Sequence, residues 1–310
     1  MKDKMQTKPA EKKNGKKTKK VSFSTIILVL IMLVGFSVLS YPFVSDYWNQ
    51  FHQTRAINNY VAAVDEMDSA EYEAILQAAK EYNERLLHNP NRYMMSDEER
   101  EEYNSLLNVG NDGIMGYIQI PRIRVSLPIY HGTDELVLNT AAGHIEGSSL
   151  PVDGETVHAA LSGHRGLPTA KLFTDLDELA EGDTFTVTVL KEVMTFQVDQ
   201  IHIVNPNEMQ DLEFTLGEDY CTLITCTPYG INTHRLLVRG RRVNDADFLT
   251  IPPDAIRIPP YIVLPAVMIP MLFIALVILL ILYRKPKRRP SLEEVVETVE
   301  QSLKQKEEEK

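Results

Sequence analysis

Apolar and polar positions alternate along the chain in three distinct textures. Val21 to Tyr41 and Tyr261 to Tyr283 are apolar or hydroxylic runs without charge, each as long as the roughly 20 residues that a membrane-spanning helix requires. Between them, Trp48, Phe51, Ile57, Tyr60, Val61 and Val64 recur at helical spacing, and Ile75, Leu76, Ala79, Tyr82 and Leu86 form a second series; each predicts a helix. Asp68, with Glu71 three residues on, predicts a capping box at the start of the second helix, and Pro90 and Asn91 interrupt it. A third, shorter helix is predicted over Ser96 to Leu107. It opens on Asp97, Glu98 and Glu99, acidic groups that suit the positive end of the helix dipole.

From Met115 the texture changes to short strands punctuated by Pro and Gly. Gly116 to Ile120, Arg124 to Tyr130 and Thr156 to Leu161 are candidates, and alternation is clean in Thr184 to Val189 and Met194 to Val198. Strands at this spacing predict a β-barrel or sandwich of about 130 residues, with Leu172 to Leu179 as a helical insertion. The fold class is therefore mostly β, with a helical preface and a flanking transmembrane helix on either side. A further amphipathic helix is predicted after Ser291, where Leu292, Val295, Val296, Val299 and Leu303 form an apolar stripe.

Charge orients this arrangement. Nine lysines lie within the first twenty residues and Arg284-Lys-Pro-Lys-Arg-Arg289 follows the second run, so both flanks belong in the cytoplasm and residues 42–260 outside. A cleaved signal peptide is the competing reading of the N-terminus, but the apolar run exceeds the usual ~7–15 residues and no Ala-x-Ala site follows it. The net charge of −11, with both membrane flanks basic, makes the external part acidic and nucleic acid an unsuitable partner. No acidic cluster of the calcium-binding kind is evident, and no metal or cofactor is called for.

Cys221 and Cys226 are the two cysteines. Five residues of extended strand span about 16 Å, whereas disulfide-bridged Cα atoms lie within about 7 Å, so the two stay unbridged while their strand is intact. Cys226 ends an apolar strand, Pro228 and Gly230 turn the chain, and a return strand begins near Arg235; antiparallel return brings Cys226 and Arg235 together. Arg239 and Arg241 share the face of Arg235 by strand parity. A thiol with an ordinary pKa near 8.5 needs a cation or base beside it to act as a nucleophile. Among eight histidines, His144 and His164 stand out because each follows a glycine, and spacing alone does not separate them. His164 lies in a Gly-flanked loop at the end of an apolar strand, where side chains approach a substrate closely.

Three segments carry a resemblance to a known family: Leu161-Ser-Gly-His-Arg-Gly-Leu-Pro168, the run from Thr225-Cys-Thr-Pro-Tyr-Gly to Gly240, and Leu127-Pro-Ile-Tyr-His-Gly-Thr133. From about Gly113 to Val243 the chain resembles the sortases, specifically the class C, pilus-assembling kind. The resemblance implies a sortase-like β-barrel with Cys226 as nucleophile, His164 as acid and base, and Arg235 as the group that positions substrate and stabilises the oxyanion. It implies a Leu-Pro-x-Thr-Gly-like sorting signal as substrate, cleaved between Thr and Gly, and a pilin lysine amine as acceptor. His144 matches a family motif that is not the catalytic one. Class C enzymes also carry a lid built around an Asp-Pro-aromatic element. Here that place reads His88-Asn-Pro-Asn-Arg-Tyr93. Asn89 stands where aspartate is expected, so no ion pair to Arg235 forms through it, while Pro90 is kept and Tyr93 is the available aromatic plug.

The predicted organisation is a basic cytoplasmic tail (1–20), a transmembrane helix (21–41), an external helical region with a lid (42–110), a catalytic barrel (111–245), a linker (246–260), a second transmembrane helix (261–283) and a cytoplasmic tail (284–310). The expected location is the cell membrane, with two passes, the lipid bilayer as a partner and the barrel outside. Rival readings are a sortase that attaches proteins to a cell-wall amine, a catalytically silent membrane scaffold that uses the same barrel, and a hydrolytic cysteine peptidase.

Overall fold

The computed structural model describes residues 23–243, 271–272, 274–275 and 292–308. The first predicted span and the first helix beyond it are one helix, α1 (Phe23–Glu66), which runs through Pro42. Proline supplies no N–H and crowds the preceding turn, which is why the sequence suggests a boundary there. The helix continues because both of its halves are fixed by other means. Upstream, a charge-free run in an apolar medium can satisfy its backbone only within a helix; downstream, a polar and apolar stripe docks on the barrel. The upstream half exposes Leu28, Ile31, Val34, Val38 and Leu39, and among the described residues α1 is the one helix long and apolar enough to cross a membrane. The second predicted span, 261–283, lies almost wholly outside the described residues.

Docking of α1 is specific. Gln53 donates to the Thr140 carbonyl at 2.7 Å. The Tyr60 hydroxyl donates to Met115 O at 2.9 Å and accepts from Leu190 N–H at 2.7 Å, so one buried side chain closes two backbone groups that would each cost about 1–3 kcal/mol unpaired. In α2 (Ser69–Leu87), Leu76, Ala79, Tyr82, Asn83 and Leu86 form the buried face. Asn83 exchanges two hydrogen bonds with Leu150, at 2.9 and 2.8 Å, and thereby pins the helix to the segment that precedes β4. Asp68 caps α2 on one side only, by accepting from Glu71 N–H; the reciprocal box forms at α3 (Asp97–Ser105), between Ser96 and Glu99.

The strands are β1 (Ile114–Ile120), β2 (Val125–His131), β3 (Ala142–His144), β4 (Val157–Ser162), β5 (Thr184–Val189), β6 (Glu192–Val204), β7 (Asp219–Thr227) and β8 (His234–Val243). They close a barrel in the order β1-β2-β3-β4-β7-β8-β6-β5, which decides between the barrel and the sandwich. The short helix α4 (Glu135–Leu138) lies between β2 and β3, and α5 (Leu292–Glu308) forms part of a separate unit of the chain. The helical insertion predicted at 172–179 is instead a set of turns with one 3-10 turn at Leu176–Glu178. Leu172, Phe173, Leu176 and Leu179 are all buried as their spacing suggests, but the loop must double back on His164, whose carbonyl accepts from Phe173 N–H at 3.2 Å.

Two histidines are built into this core. His144 is fully buried. Its Nε2 lies 2.7 Å from Ser149 O, which can only accept, so Nδ1 is left to accept from Tyr103 OH at 2.8 Å. Tyr103 OH also accepts from Gly132 N–H, and α3 is thus fastened to the barrel. His158 donates from Nδ1 to Glu213 O and accepts at Nε2 from Thr222 Oγ1. Burial is the main cause that pulls both from the ordinary 6.5 down to about 4. Burial also raises Asp219 from 3.8 to about 7, against the nearby Arg242 charge.

These shifts act in opposite directions. Between about pH 6.5 and 4 the unfolded chain protonates each histidine and the folded chain does not, so stability falls with pH. Asp219 keeps its proton when folded and loses it when unfolded, so its contribution grows as pH falls from about 7 to 4. We expect His158→Gln, which replaces the ring by a polar group that does not titrate, to lose less stability than the parent between pH 7 and 4.5, by up to roughly 3 kcal/mol. Asp219→Asn should lose more than the parent. Urea midpoints at the two pH values check both; a steeper loss in His158→Gln would refute the assignment.

Candidate active site

Strand β7 sits between two partners, parallel to β4 and antiparallel to β8. Its odd positions Cys221 and Leu223 face the barrel core, while Ile224 belongs to a second, smaller cluster on the outer face with Ala160, Leu212 and Leu237. By the two-residue period of a strand, Cys226 shares the outer face with Ile224. The β7/β8 register pairs Cys226 directly with Arg235, next to Thr227 with His234. Directly opposed residues in an antiparallel pair carry their side chains on one face, with Cβ atoms about 5 Å apart. The parallel ladder with β4 pairs Ser162 with Ile224 and ends on a bond from Gly163 N–H to Ile224 O at 3.0 Å. His164 therefore begins its loop one residue beyond the last ladder bond, beside the end of β7 that carries Cys226.

Burial separates the candidates that spacing left open. His144 is enclosed and fully bonded, whereas His164, Cys226 and Arg235 are partly exposed at the barrel rim. Among the described residues neither the His164 ring nor the Cys226 thiol forms a hydrogen bond, and Arg235 Nη1 donates to the Asn232 and His234 carbonyls. Both cysteines are free. Cys221 is fully buried, which pushes its thiol well above the usual range, so Cys226 is the thiol open to chemistry. Arg239 and Arg241 share the outer face of Arg235 but are engaged with Asp199 and Glu218.

The sequence reading missed Arg165 and Thr227, which join the two loops. Arg165 is almost enclosed, pairs with Asp177, and donates to Thr227 Oγ1 at 3.1 Å. Thr225 Oγ1 donates to Gly163 O at 2.8 Å. Gly166, with φ of +78°, passes so close to Tyr229 that a Cβ would lie 2.9 Å from its ring. The loop that carries His164 is thus tied to residues on both sides of Cys226. An arginine directly after the histidine of a Gly-flanked loop was the available signal.

The segment His88 to Tyr93 is held elsewhere than at the thiol. Asn89 caps its own turn by accepting from Asn91 N–H. Arg92, 7% exposed, lies between the Tyr93 and Phe214 rings at 4.8 and 4.1 Å and donates to Leu212 O and Glu213 Oε2. Tyr93 packs on Gly147, whose φ of +86° and lack of a Cβ make room for it. Among the described residues no hydrogen bond, ion pair or ring contact links Asn89, Pro90 or Tyr93 to His164, Cys226 or Arg235. Arg92, absent from the sequence reading, is the anchor, and it fastens the segment to the β6–β7 connection that packs over the outer face. Among the described residues no group of three or more His, Cys, Asp or Glu is placed to hold a metal ion.

Comparison with known proteins bears on the fold and the family. A family model described as the sortase domain matches residues 118–243. The crystal structure of sortase C1 from Streptococcus agalactiae superposes with a TM-score of 0.59 and 53% sequence identity, over 61% of this chain and 98% of that one. A sortase C from Clostridium perfringens, solved with the C-terminal cell wall sorting motif, gives 0.55 and 38% over 62% of this chain and 99% of its own. The chain belongs to the sortase family, and its structural neighbours place it with class C. It is also 28% identical to a sortase A of Streptococcus agalactiae over 44% of this chain, and spans 56% of that relative's length.

If Arg92 is the anchor, Arg92→Ala should free two segments at once. Amide exchange should accelerate in 88–95 and in 209–214 together, by tenfold or more for a loss of about 1.4 kcal/mol. Acceleration in the first segment alone would show that the β6–β7 connection does not depend on Arg92.

Proposed function

We propose that the protein is a membrane-anchored cysteine transpeptidase that cleaves a Leu-Pro-x-Thr-Gly-like signal between Thr and Gly and joins the Thr to a lysine amine of a pilin. The observation that carries this reading is the opposition of Cys226 and Arg235 across β7 and β8, with the His164 loop beside them. The Cys226 thiolate attacks the Thr carbonyl carbon and forms a C–S bond, and Arg235 offsets the charge that develops on the carbonyl oxygen. As the C–N bond breaks, His164 as imidazolium gives its proton to the departing glycine amine and a thioester remains. The incoming amine then attacks that carbonyl, neutral His164 takes the amine's proton, and the thiolate leaves, so one histidine serves both half-reactions.

Topology supports the same reading. The apolar run of α1 and the basic residues before it suit a helix fixed in the bilayer with the barrel outside, and the apolar run 261–283 with its basic flank suits a second pass. A tether replaces free diffusion by a high local concentration of enzyme beside substrates that emerge from the membrane. The His88 to Tyr93 segment stands where class C enzymes carry a lid, and its hold is Arg92 in place of a carboxylate at position 89. Transfer to a cell-wall amine is the second reading, since it shares the first half-reaction and differs only in the acceptor.

The test is intact-mass analysis of the full chain in detergent after incubation with a Leu-Pro-x-Thr-Gly peptide. An acyl adduct should form and be absent in Cys226→Ala. A lysine-bearing pilin peptide should discharge it faster than a glycine amine does. No adduct on a folded chain with an alkylatable Cys226 would overturn the reading, and preferential discharge by glycine amine would favour the cell-wall alternative.

A further inference from the structure

The helix that resembles a tether touches the loop that carries His164. Asp46 Oδ1 accepts from Lys171 N–H at 2.9 Å, and Asn49 Nδ2 donates to Thr169 O at 2.8 Å. Asp46 is held in turn by Gln50, which donates to its other oxygen. Both contacts are partly buried and lie more than a hundred residues apart in sequence, so they are tertiary contacts of the anchor helix and not features of local chain geometry.

These contacts fall on the far side of a loop whose His164 end is tied through Arg165 to Thr227 and Asp177. Phe173 N–H donates to His164 O, and the Phe173 ring sits so near Gly163 that a Cβ there would be 2.7 Å away. Ala170, Leu172 and Phe173 are buried beneath it, and Lys171 Nζ reaches Ile123 O and Asp175. Residues 169–171 have their backbone groups turned towards α1, and Asp46 and Asn49 pair them. Without those side chains a carbonyl and an amide at the helix contact lose their partners.

The same turns of α1 carry a second feature on the opposite face. Phe43, Val44, Tyr47, Trp48 and Phe51 are 48–63% exposed. Trp and Tyr settle at the boundary between membrane and water. Asp46 and Asn49 lie five and eight residues past Tyr41, about 8 and 12 Å along a helix, which is close to the headgroup layer. One face of this stretch thus suits the interface, and the other holds the His164 loop.

We propose that Asp46 and Asn49 are positioning residues for His164, so that the anchor helix is part of the scaffold of the catalytic site and sets that site at the membrane interface. The proposal rests on the assignment of His164 as acid and base. Without the two α1 contacts the loop keeps its ties at Arg165 and Lys171 but widens its range, so the imidazole more often misses the departing amine, which lowers turnover without removing any group that binds the peptide.

The test uses the full chain in lipid nanodiscs, with Asp46→Ala, Asn49→Asp and Asp46→Asn. Asn49→Asp is close to isosteric but cannot donate to Thr169 O; Asp46→Asn keeps an oxygen that accepts from Lys171 N–H. Asp46→Ala and Asn49→Asp are expected to lower kcat for peptide acyl transfer about tenfold with KM within about twofold, as befits a lost positioning contact, and to speed amide exchange across 164–173. Asp46→Asn should restore both readouts to near the parent values. Parent-like exchange and kcat in Asp46→Ala and Asn49→Asp would overturn the proposal, as would an equal loss in Asp46→Asn. The exchange readout decides the clamp even if the parent chain does not turn over the peptide, an outcome that would instead count against the transpeptidase reading.

Discussion

The structure depends on β7 being paired on both sides. A strand with one parallel and one antiparallel neighbour has its register fixed twice, and a slip of one residue against either would turn its core positions outward. Cys221 and Leu223 on the inner face and Ile224 on the outer lock that register by burial. The thiol at position 226 inherits its place from residues that never meet a substrate. Arg235 then arrives opposite it through the short return at Pro228 to Gly230, and the His164 loop arrives beside it as the β4 ladder runs out.

Around this centre the rest of the chain supplies constraint. Tyr60 stitches α1 to β1 and to the turn after β5, Asn83 stitches α2 to the approach to β4, and the Tyr103 and His144 pair stitches α3 to β3. Each is a buried polar side chain that both donates and accepts, which is the condition under which such groups specify an arrangement at little cost in stability. The helical preface is therefore an integral layer on the barrel. Asp46 and Asn49 extend that layer to the loop of His164, and Arg92 extends it to the β6–β7 connection.

What could be read from the sequence was whatever local chemistry dictates. The Cys226 to Arg235 opposition followed from an apolar strand, a Pro and Gly turn and a return strand, and β5 followed residue for residue from strict alternation. Three-residue β3 is too short to leave a periodic signal, and β6 runs on to Val204 past a bulge near Val198 that breaks its alternation. The stretch 172–179 has helical spacing but folds as turns, because closure on His164 outweighs propensity. His144 and His164 look alike by spacing; the family resemblance favours His164, and the physical difference, burial of His144, is a property of the whole fold. Arg92 gave no sign because its partners lie about 120 residues away, and Arg165, marked by its place after His164, did not disclose Thr227 as a partner 62 residues away.

The claim that one strand register assembles the thiol with its two partners is most directly tested by the rate of Cys226 alkylation in the parent, His164→Gln and Arg235→Gln chains, since buried Cys221 adds no signal. Both substitutions are expected to slow alkylation, because each removes a cation or base from beside the thiol. Three equal rates would contradict the claim, and would mean that proximity across β7, β8 and the β4 loop does not act on the thiol.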